Sequence, residues 1–279
     1  MEKFSPPELK KLFKPARESA GEDNGQVTII GGSSLFHGAP LLALKVASRI
    51  VDMVFFASPE PSVGRVAESL KSKLSSFIWV PWEEVEDYIA KSDAVLIGPG
   101  LMRFRSEKVP QGQRSGGYDE TAKASREITE RLLKKFSKKR WVIDAGSLQV
   151  MDADWIPKGA ILTPNKKEFE LLFGKMDAQA AAKRWGCIIV QKGPTTFVCG
   201  ENKCAEISTG NAGLTKGGTG DVLAGVTVAF YAKNDPFLAA CAASYLTKAA
   251  ADTLLGKVGT VYNADDLANE IPTVLKKML

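Results

Sequence analysis

The sequence predicts an α/β fold in which a mostly parallel central sheet carries helices on both faces. Three observations predict it. Short β-branched or aromatic runs alternate with stretches of helical period along nearly the whole chain. Several of those runs are apolar at every position, as in strands covered on both sides. Composition is that of an ordinary globular protein, with 44% hydrophobic and 25% charged residues. A chain of 279 residues has room for roughly two average domains, but a single α/β domain often reaches this length. No internal repeat, low-complexity tract or linker divides it, so one domain over 1–279 is expected.

Residues 1–23 read as an N-terminal extension, in which Lys, Pro and Glu alternate with single hydrophobes and no apolar signal-peptide core appears. Strands are expected at 27–30, 53–57, 77–80, 94–97, 141–143, 160–162 and 188–191. Helices are expected at 39–51, 63–74, 119–136 and 166–173. The basic stretch 104–117, with three glycines and a proline, reads as a mobile surface loop. Asn165-Lys166-Lys167-Glu168 has the spacing of a capping box. Residues 196–198 and 203–207 read as a hairpin, and 222–232 as a helix. Asp235-Pro236 opens a helix over 237–255, and Asn263 caps a last helix running to about Met278.

Charge and cysteine usage exclude several classes. The net charge of +5 is a mild bias that favours approach of a polyanionic small molecule and is too weak to argue for nucleic acid. The longest apolar-looking stretch, 41–58, is interrupted by Lys45, Arg49 and Asp52, so no membrane span is expected. Cys187, Cys199, Cys204 and Cys241 form no C-x-x-C pair, and His37 is the one histidine, which argues against zinc. All four cysteines are expected to be reduced, small buried hydrophobes in a cytoplasmic protein.

The strongest local signal is the segment 209–225, where five glycines fall within twelve residues immediately before a helix. Glycines bring bare backbone N–H groups against a ligand, and the helix N-terminus adds unpaired donors and a partial positive charge. Gly217-Gly218-Thr219-Gly220 is followed by Asp221 rather than Lys-Ser or Lys-Thr, so this is not a Walker A loop. Asp221 suits two roles: complementing the helix dipole, or taking a proton from a substrate hydroxyl that attacks a phosphoryl group. Side chains at Gly218 and Gly220 are expected to block the approach to phosphate.

Gly217-Gly218-Thr219-Gly220-Asp221-Val222-Leu223-Ala224-Gly225 resembles the signature of the ribokinase-like NAD(P)H-hydrate dehydratases, the carbohydrate-kinase-like repair enzymes. Ile30-Gly31-Gly32-Ser33 with Gly38-Ala39-Pro40, Ile97-Gly98-Pro99-Gly100-Leu101, Val142-Ile143-Asp144-Ala145, Leu162-Thr163-Pro164-Asn165 and Gln191-Lys192-Gly193 follow in the same order, covering about residues 24 to 263. Two departures stand out: Gly146 replaces the family's usual aspartate, and Met102 stands where a further glycine is common.

The resemblance implies a ribokinase-like three-layer sandwich. It also implies dehydration of the S epimer of hydrated NADH or NADPH, in which ADP or ATP with magnesium phosphorylates the substrate hydroxyl and phosphate is then eliminated. By resemblance, Asp221 is the general base, with Gly218 and Gly220 in the anion hole. Lys192, Gly193, Pro194, Thr195, Thr196, Gly217, Thr219 and Gly220 would bind the nucleotide. Ala39, Gly98, Gly100, Asn165 and Asp221 would contact the substrate. The magnesium ligands stay unassigned. A homo-oligomer is expected, and the epimerase domain fused in many relatives would be a separate protein. A ribokinase-like kinase acting on a vitamin precursor, or a nucleotide-binding regulator without turnover, are the alternatives.

Overall fold

The computed structural model describes residues 2–104 and 116–279. The strands are β1 (Glu2–Lys3), β2 (Gln26–Ile30), β3 (Met53–Ala57), β4 (Ile78–Trp79), β5 (Ala94–Ile97), β6 (Arg140–Ile143), β7 (Ile161–Leu162), β8 (Ile188–Gln191), β9 (Thr196–Cys199) and β10 (Cys204–Ile207). They form one sheet in the order β1-β10-β9-β8-β7-β6-β5-β2-β3-β4. Only the β8–β9 and β9–β10 pairs are antiparallel among the described residues, so the expected hairpin closes a sheet that is otherwise parallel.

The helices are α1 (Gly38–Ala47), α2 (Pro61–Leu70), α3 (Val85–Lys91), α4 (Gly116–Lys135), α5 (Ala145–Val150), α6 (Lys166–Phe173), α7 (Ala178–Trp185), α8 (Thr219–Tyr231), α9 (Pro236–Val258) and α10 (Ala264–Met278). They divide between the two faces because successive strand residues point to opposite sides. Val27 and Ile29 of β2 pack with α1, α8, α9 and α10, while Ile30 and its counterparts on β5 and β6 pack with the helices of the other face. The result is three layers with two buried cores. Helices α1 and α8 cross closely enough that a Cβ on Gly225 would meet the Ala43 carbonyl oxygen at 2.5 Å. Among the described residues, no helix is long and apolar enough to cross a membrane.

Four expectations need revision. Part of the N-terminal extension is built into the fold, because β1 pairs with the edge strand β10 and Leu9 is fully buried. Of the loop expected over 104–117, residues 105–115 lie outside the described residues, and Gly116 and Gly117 already belong to α4. The short helices α3, α5 and α7 escaped the periodicity argument; α7 contains the run Ala180-Ala181-Ala182, which offers no large hydrophobe to mark a face. Cys199 and Cys204 are joined in a disulfide, contrary to the expectation of four reduced cysteines. The hairpin makes them direct cross-strand partners with Cα atoms 4.2 Å apart, a closeness that linear spacing does not reveal. Cys187 and Cys241 are free and buried, as expected.

Candidate active site

Parallel pairing brings the C-terminal ends of β2, β5, β6, β7 and β8 to one rim of the sheet, the place where open α/β sheets bind ligands. Five of the glycine-rich or polar motifs stand there. Gly98 and Gly100 follow β5 with φ of 120° and 73°, conformations that favour glycine. A Cβ on Gly98 would lie 1.8 Å from the Asp144 carbonyl oxygen, and one on Gly100 2.5 Å from that of Phe36. The contacts of Gly100 with Phe36, Gly32 and Pro40 join it to the turn after β2, where Ala39 is half-buried in α1. Gly146 is similarly constrained, since a Cβ there would meet the Leu101 carbonyl oxygen at 2.2 Å. The departure from aspartate at 146 therefore goes with a close backbone approach that excludes any side chain.

At the centre of the rim lies a buried charge cluster. Lys192 Nζ donates to Asp144 Oδ1 at 2.8 Å and stands 3.9 Å from Glu168 Oε2. Thr163 donates its hydroxyl proton to the same Asp144 oxygen at 2.7 Å, and Gln149 Nε2 donates to Glu168 Oε1 at 3.0 Å. The capping box forms as expected: Asn165 Oδ1 accepts from the Glu168 N–H and Glu168 Oε2 from the Asn165 N–H. Burial works against the charge on Lys192, but Asp144, Glu168 and Asp221 outweigh it and raise its pKa. Burial also raises Glu168, with Lys192 opposing.

Asp221 sits in the first turn of α8. Burial, reinforced by Asp144 and Glu168 and opposed by Lys192, pushes its carboxyl up to about 7. That value suits a group that must take a proton near neutral pH. Gly218 precedes the helix at φ 91°, and a Cβ on it would meet Leu42 Cδ1 at 2.5 Å and Ala264 Cβ at 2.9 Å. Gly220 is different. It lies within α8, and the nearest atom to an added Cβ is Lys192 Nζ at 3.5 Å.

A cleft of about 710 Å³ opens beside these groups, with Asn165, Lys192, Gly193, Pro194, Thr196, Thr219 and Gly220 on its walls. Thr195, Gly217, Gly218 and Asp221 are not among its lining residues, nor are Ala39, Gly98 and Gly100. The expected substrate set is thus divided: Ala39, Gly98 and Gly100 gather at the turn after β2, while Asn165 faces the cleft. Asn211 and Lys216, inside the segment 209–225 but given no role of their own there, also line it, as do Ser244, Thr247 and Lys248, which the sequence did not single out. The last three had a signal, polar residues at positions i, i+3 and i+4 within the otherwise apolar stretch 237–251 of α9.

Among the described residues no three His, Cys, Asp or Glu side chains gather as a metal cage. Magnesium does not require one, since it is commonly held by one or two carboxylates, waters and the phosphates of its substrate. Asp144 and Glu168 offer hard oxygen donors of that kind, although Asp144 Oδ1 and both Glu168 oxygens already accept hydrogen bonds.

Comparison with known proteins covers the same stretch of chain. A family profile described as NAD(P)H-hydrate dehydratase matches residues 27–273. The chain is 35% identical to a bifunctional NAD(P)H-hydrate repair enzyme of Methanocaldococcus jannaschii, over 96% of this chain and 52% of that protein. It is 29% identical to an ADP-dependent (S)-NAD(P)H-hydrate dehydratase of Cenarchaeum symbiosum, over 95% and 94% of the two chains. The chain therefore spans about half the length of the bifunctional relatives it matches and nearly all of the shorter one. A ribokinase-like superfamily protein of Enterococcus faecalis superposes with a TM-score of 0.81 at 21% identity, over 99% of this chain and 96% of that one. The fold is ribokinase-like.

Proposed function

This chain belongs to the NAD(P)H-hydrate dehydratase family, and from that premise we propose that it returns the S form of hydrated NADH or NADPH to the reduced dinucleotide, with ADP or ATP as phosphoryl donor. One observation carries the reading: Asp221 stands in the first turn of α8, directly after residues 217–220 and beside the cleft that Thr219 and Gly220 line, with burial pushing its carboxyl up to about 7.

In this reading the nucleotide occupies the cleft, with Lys192, Gly193, Pro194, Thr195 and Thr196 along one wall. Its phosphates face Gly217, Gly218, Thr219 and Gly220, where backbone N–H groups and the helix N-terminus stabilise negative charge. The hydrated dinucleotide lies against Ala39, Gly98, Gly100 and Asn165. The Asp221 carboxylate takes the proton of the substrate hydroxyl as that oxygen attacks the terminal phosphoryl group. The new O–P bond forms while the P–O bond to the nucleotide breaks. Phosphate, a far better leaving group than hydroxide, then departs with the C–O electron pair as the ring nitrogen lone pair pushes in. Loss of a ring proton restores the double bond. Asp144 and Glu168 would hold magnesium, which when bound neutralises charge on the nucleotide phosphates. Lys192 pairs with both carboxylates and orients them.

The test is recovery of the reduced-nicotinamide absorbance when protein, magnesium and hydrated NADH or NADPH are mixed with ADP or with ATP. Recovery with either nucleotide supports the reading, and the comparison identifies the donor. No recovery, together with phosphate transfer to a vitamin-precursor alcohol, would reassign the chain to the kinases of the same fold.

A further inference from the structure

Three lysines line the cleft, and each is engaged differently. Lys192 is balanced by carboxylates at the catalytic rim. Lys216 reaches the carbonyl oxygens of Thr260 and Tyr262 at the exposed mouth. Lys248, in the middle of α9, is only 6% exposed, yet its ammonium meets no carboxylate within ion-pair distance among the described residues. It donates instead to the carbonyl oxygens of Pro194 at 2.5 Å and Gly193 at 3.2 Å, the turn that follows β8. One helical turn further, the Asp252 carboxylate accepts from the Gly210 N–H at 2.8 Å and from Asn211 Nδ2 at 3.1 Å. Asn211 Oδ1 in turn accepts from the Gly213 N–H at 3.0 Å and from the Tyr262 hydroxyl at 2.9 Å.

Gly193 and Pro194, after β8, and Gly210 and Asn211, before α8, are two separate stretches of the cleft wall. A single rigid helix therefore bolts both stretches through one i, i+4 pair. The fit is close, since a Cβ on Gly210 would come within 2.9 Å of Lys248 Cγ. We propose that Lys248, with Asp252, is a positioning residue for the nucleoside part of the nucleotide: it fixes the separation of the two stretches against which that part is held. The inference rests on the reading of this cleft as the nucleotide site. The turn that Lys248 holds lies outside α8, which carries Asp221, so releasing that turn acts first on nucleotide binding. Without the ammonium the two turn carbonyls lose their donor, the turn is released from α9, and the slot loses its preorganised width.

The test measures affinity for AMP, ADP and ATP by calorimetry with magnesium, and steady-state kinetics in parallel, for wild type, Lys248→Met, Lys248→Arg and Asp252→Asn. The expected result for Lys248→Met is a loss of about tenfold that is the same for all three nucleotides. The nucleotide KM rises by the same factor, while kcat and the KM for the hydrated dinucleotide stay within about twofold. Arginine, which also donates to carbonyls, recovers most of the affinity. Asp252→Asn keeps an acceptor and loses less in the same direction, so it serves if Lys248→Met fails to fold. A loss that grows from AMP to ATP would overturn the proposal in favour of direct phosphate binding. Unchanged affinity in Lys248→Met or in Asp252→Asn, with wild type binding normally, would overturn it and leave the nucleotide reading intact. Wild type that binds none of the three nucleotides would overturn both.

Discussion

Lys192, at the end of β8, donates to Asp144, at the end of β6, at 2.8 Å, although 48 positions separate them and β7 lies between their strands. The Asp144 side chain is 1% exposed and that of Glu168 is 8% exposed, so this one ammonium offsets two carboxylates that have little water around them. The pairing ties the folding of the sheet to the electrostatics of the site.

Replacing Lys192 with Met should therefore cost stability as well as activity. Removing one partner of a buried ion pair leaves an uncompensated charge, typically at a cost of about 3–5 kcal/mol. The expected outcome is a lower midpoint in chemical denaturation, together with loss of dinucleotide recovery. A midpoint equal to wild type would mean that water reaches Asp144 and Glu168 freely.

Asp221→Asn should bind nucleotide nearly as wild type and lose about 10²–10⁴-fold in turnover, the usual contribution of a general base. Wild-type kcat/KM should rise with pH and level off above about 7, as the carboxyl ionises. Stability moves the other way. The folded-state value of about 7 lies above the ordinary 3.8, so between those pH values the unfolded chain releases a proton that the folded one keeps. Stability from this group is complete below about pH 4 and is lost as pH rises through about 7. The Tm of Asp221→Asn relative to wild type should accordingly increase over that window, which thermal denaturation at several pH values would read.

Gly218 and Gly220 should respond differently to substitution. Gly218 has φ 91° and its added Cβ would strike Leu42 and Ala264, so Gly218→Val should lower Tm markedly. Gly220 is helical and faces the cleft beside Lys192, so Gly220→Val should keep the fold and lose nucleotide affinity. Circular dichroism together with calorimetry separates the two effects. Equal behaviour of the two variants would show that both glycines serve the backbone alone.

Asn165→Asp keeps the cap, because aspartate accepts the Glu168 N–H as well as asparagine does and complements the helix dipole. It also places a new carboxylate on the cleft wall, facing polyanionic ligands. Tm should stay at the wild-type value while KM rises at least several-fold, a penalty on the order of 1 kcal/mol or more. A stable variant with unchanged constants would leave Asn165 as a cap.

Local patterns determined a good deal by themselves. Strand β3 at 53–57, strand β8 at 188–191 and helix α6 at 166–173 stand where short continuous apolar runs and the Asn165–Glu168 box predict them. These depend on neighbours a few residues apart, which a linear reading can see. The order of the motifs likewise points, from the sequence alone, to the glycine loop and Asp221 as the proposed site. What tertiary structure alone decided is which distant groups meet. In the sequence Glu168 reads only as half of a helix cap, and Asp144 only as part of a strand-end motif. Sheet order β6-β7-β8 carries both to Lys192 and makes one charged cluster of them. Cys199 and Cys204 became partners only through hairpin register, and Lys248 lines the cleft and Asp252 holds Gly210 and Asn211 only because α9 packs under two separate loops. Electrostatics and hydrogen bonding act through space over a few ångströms, whereas a sequence orders residues along the chain, so such pairings emerge only once the sheet is assembled.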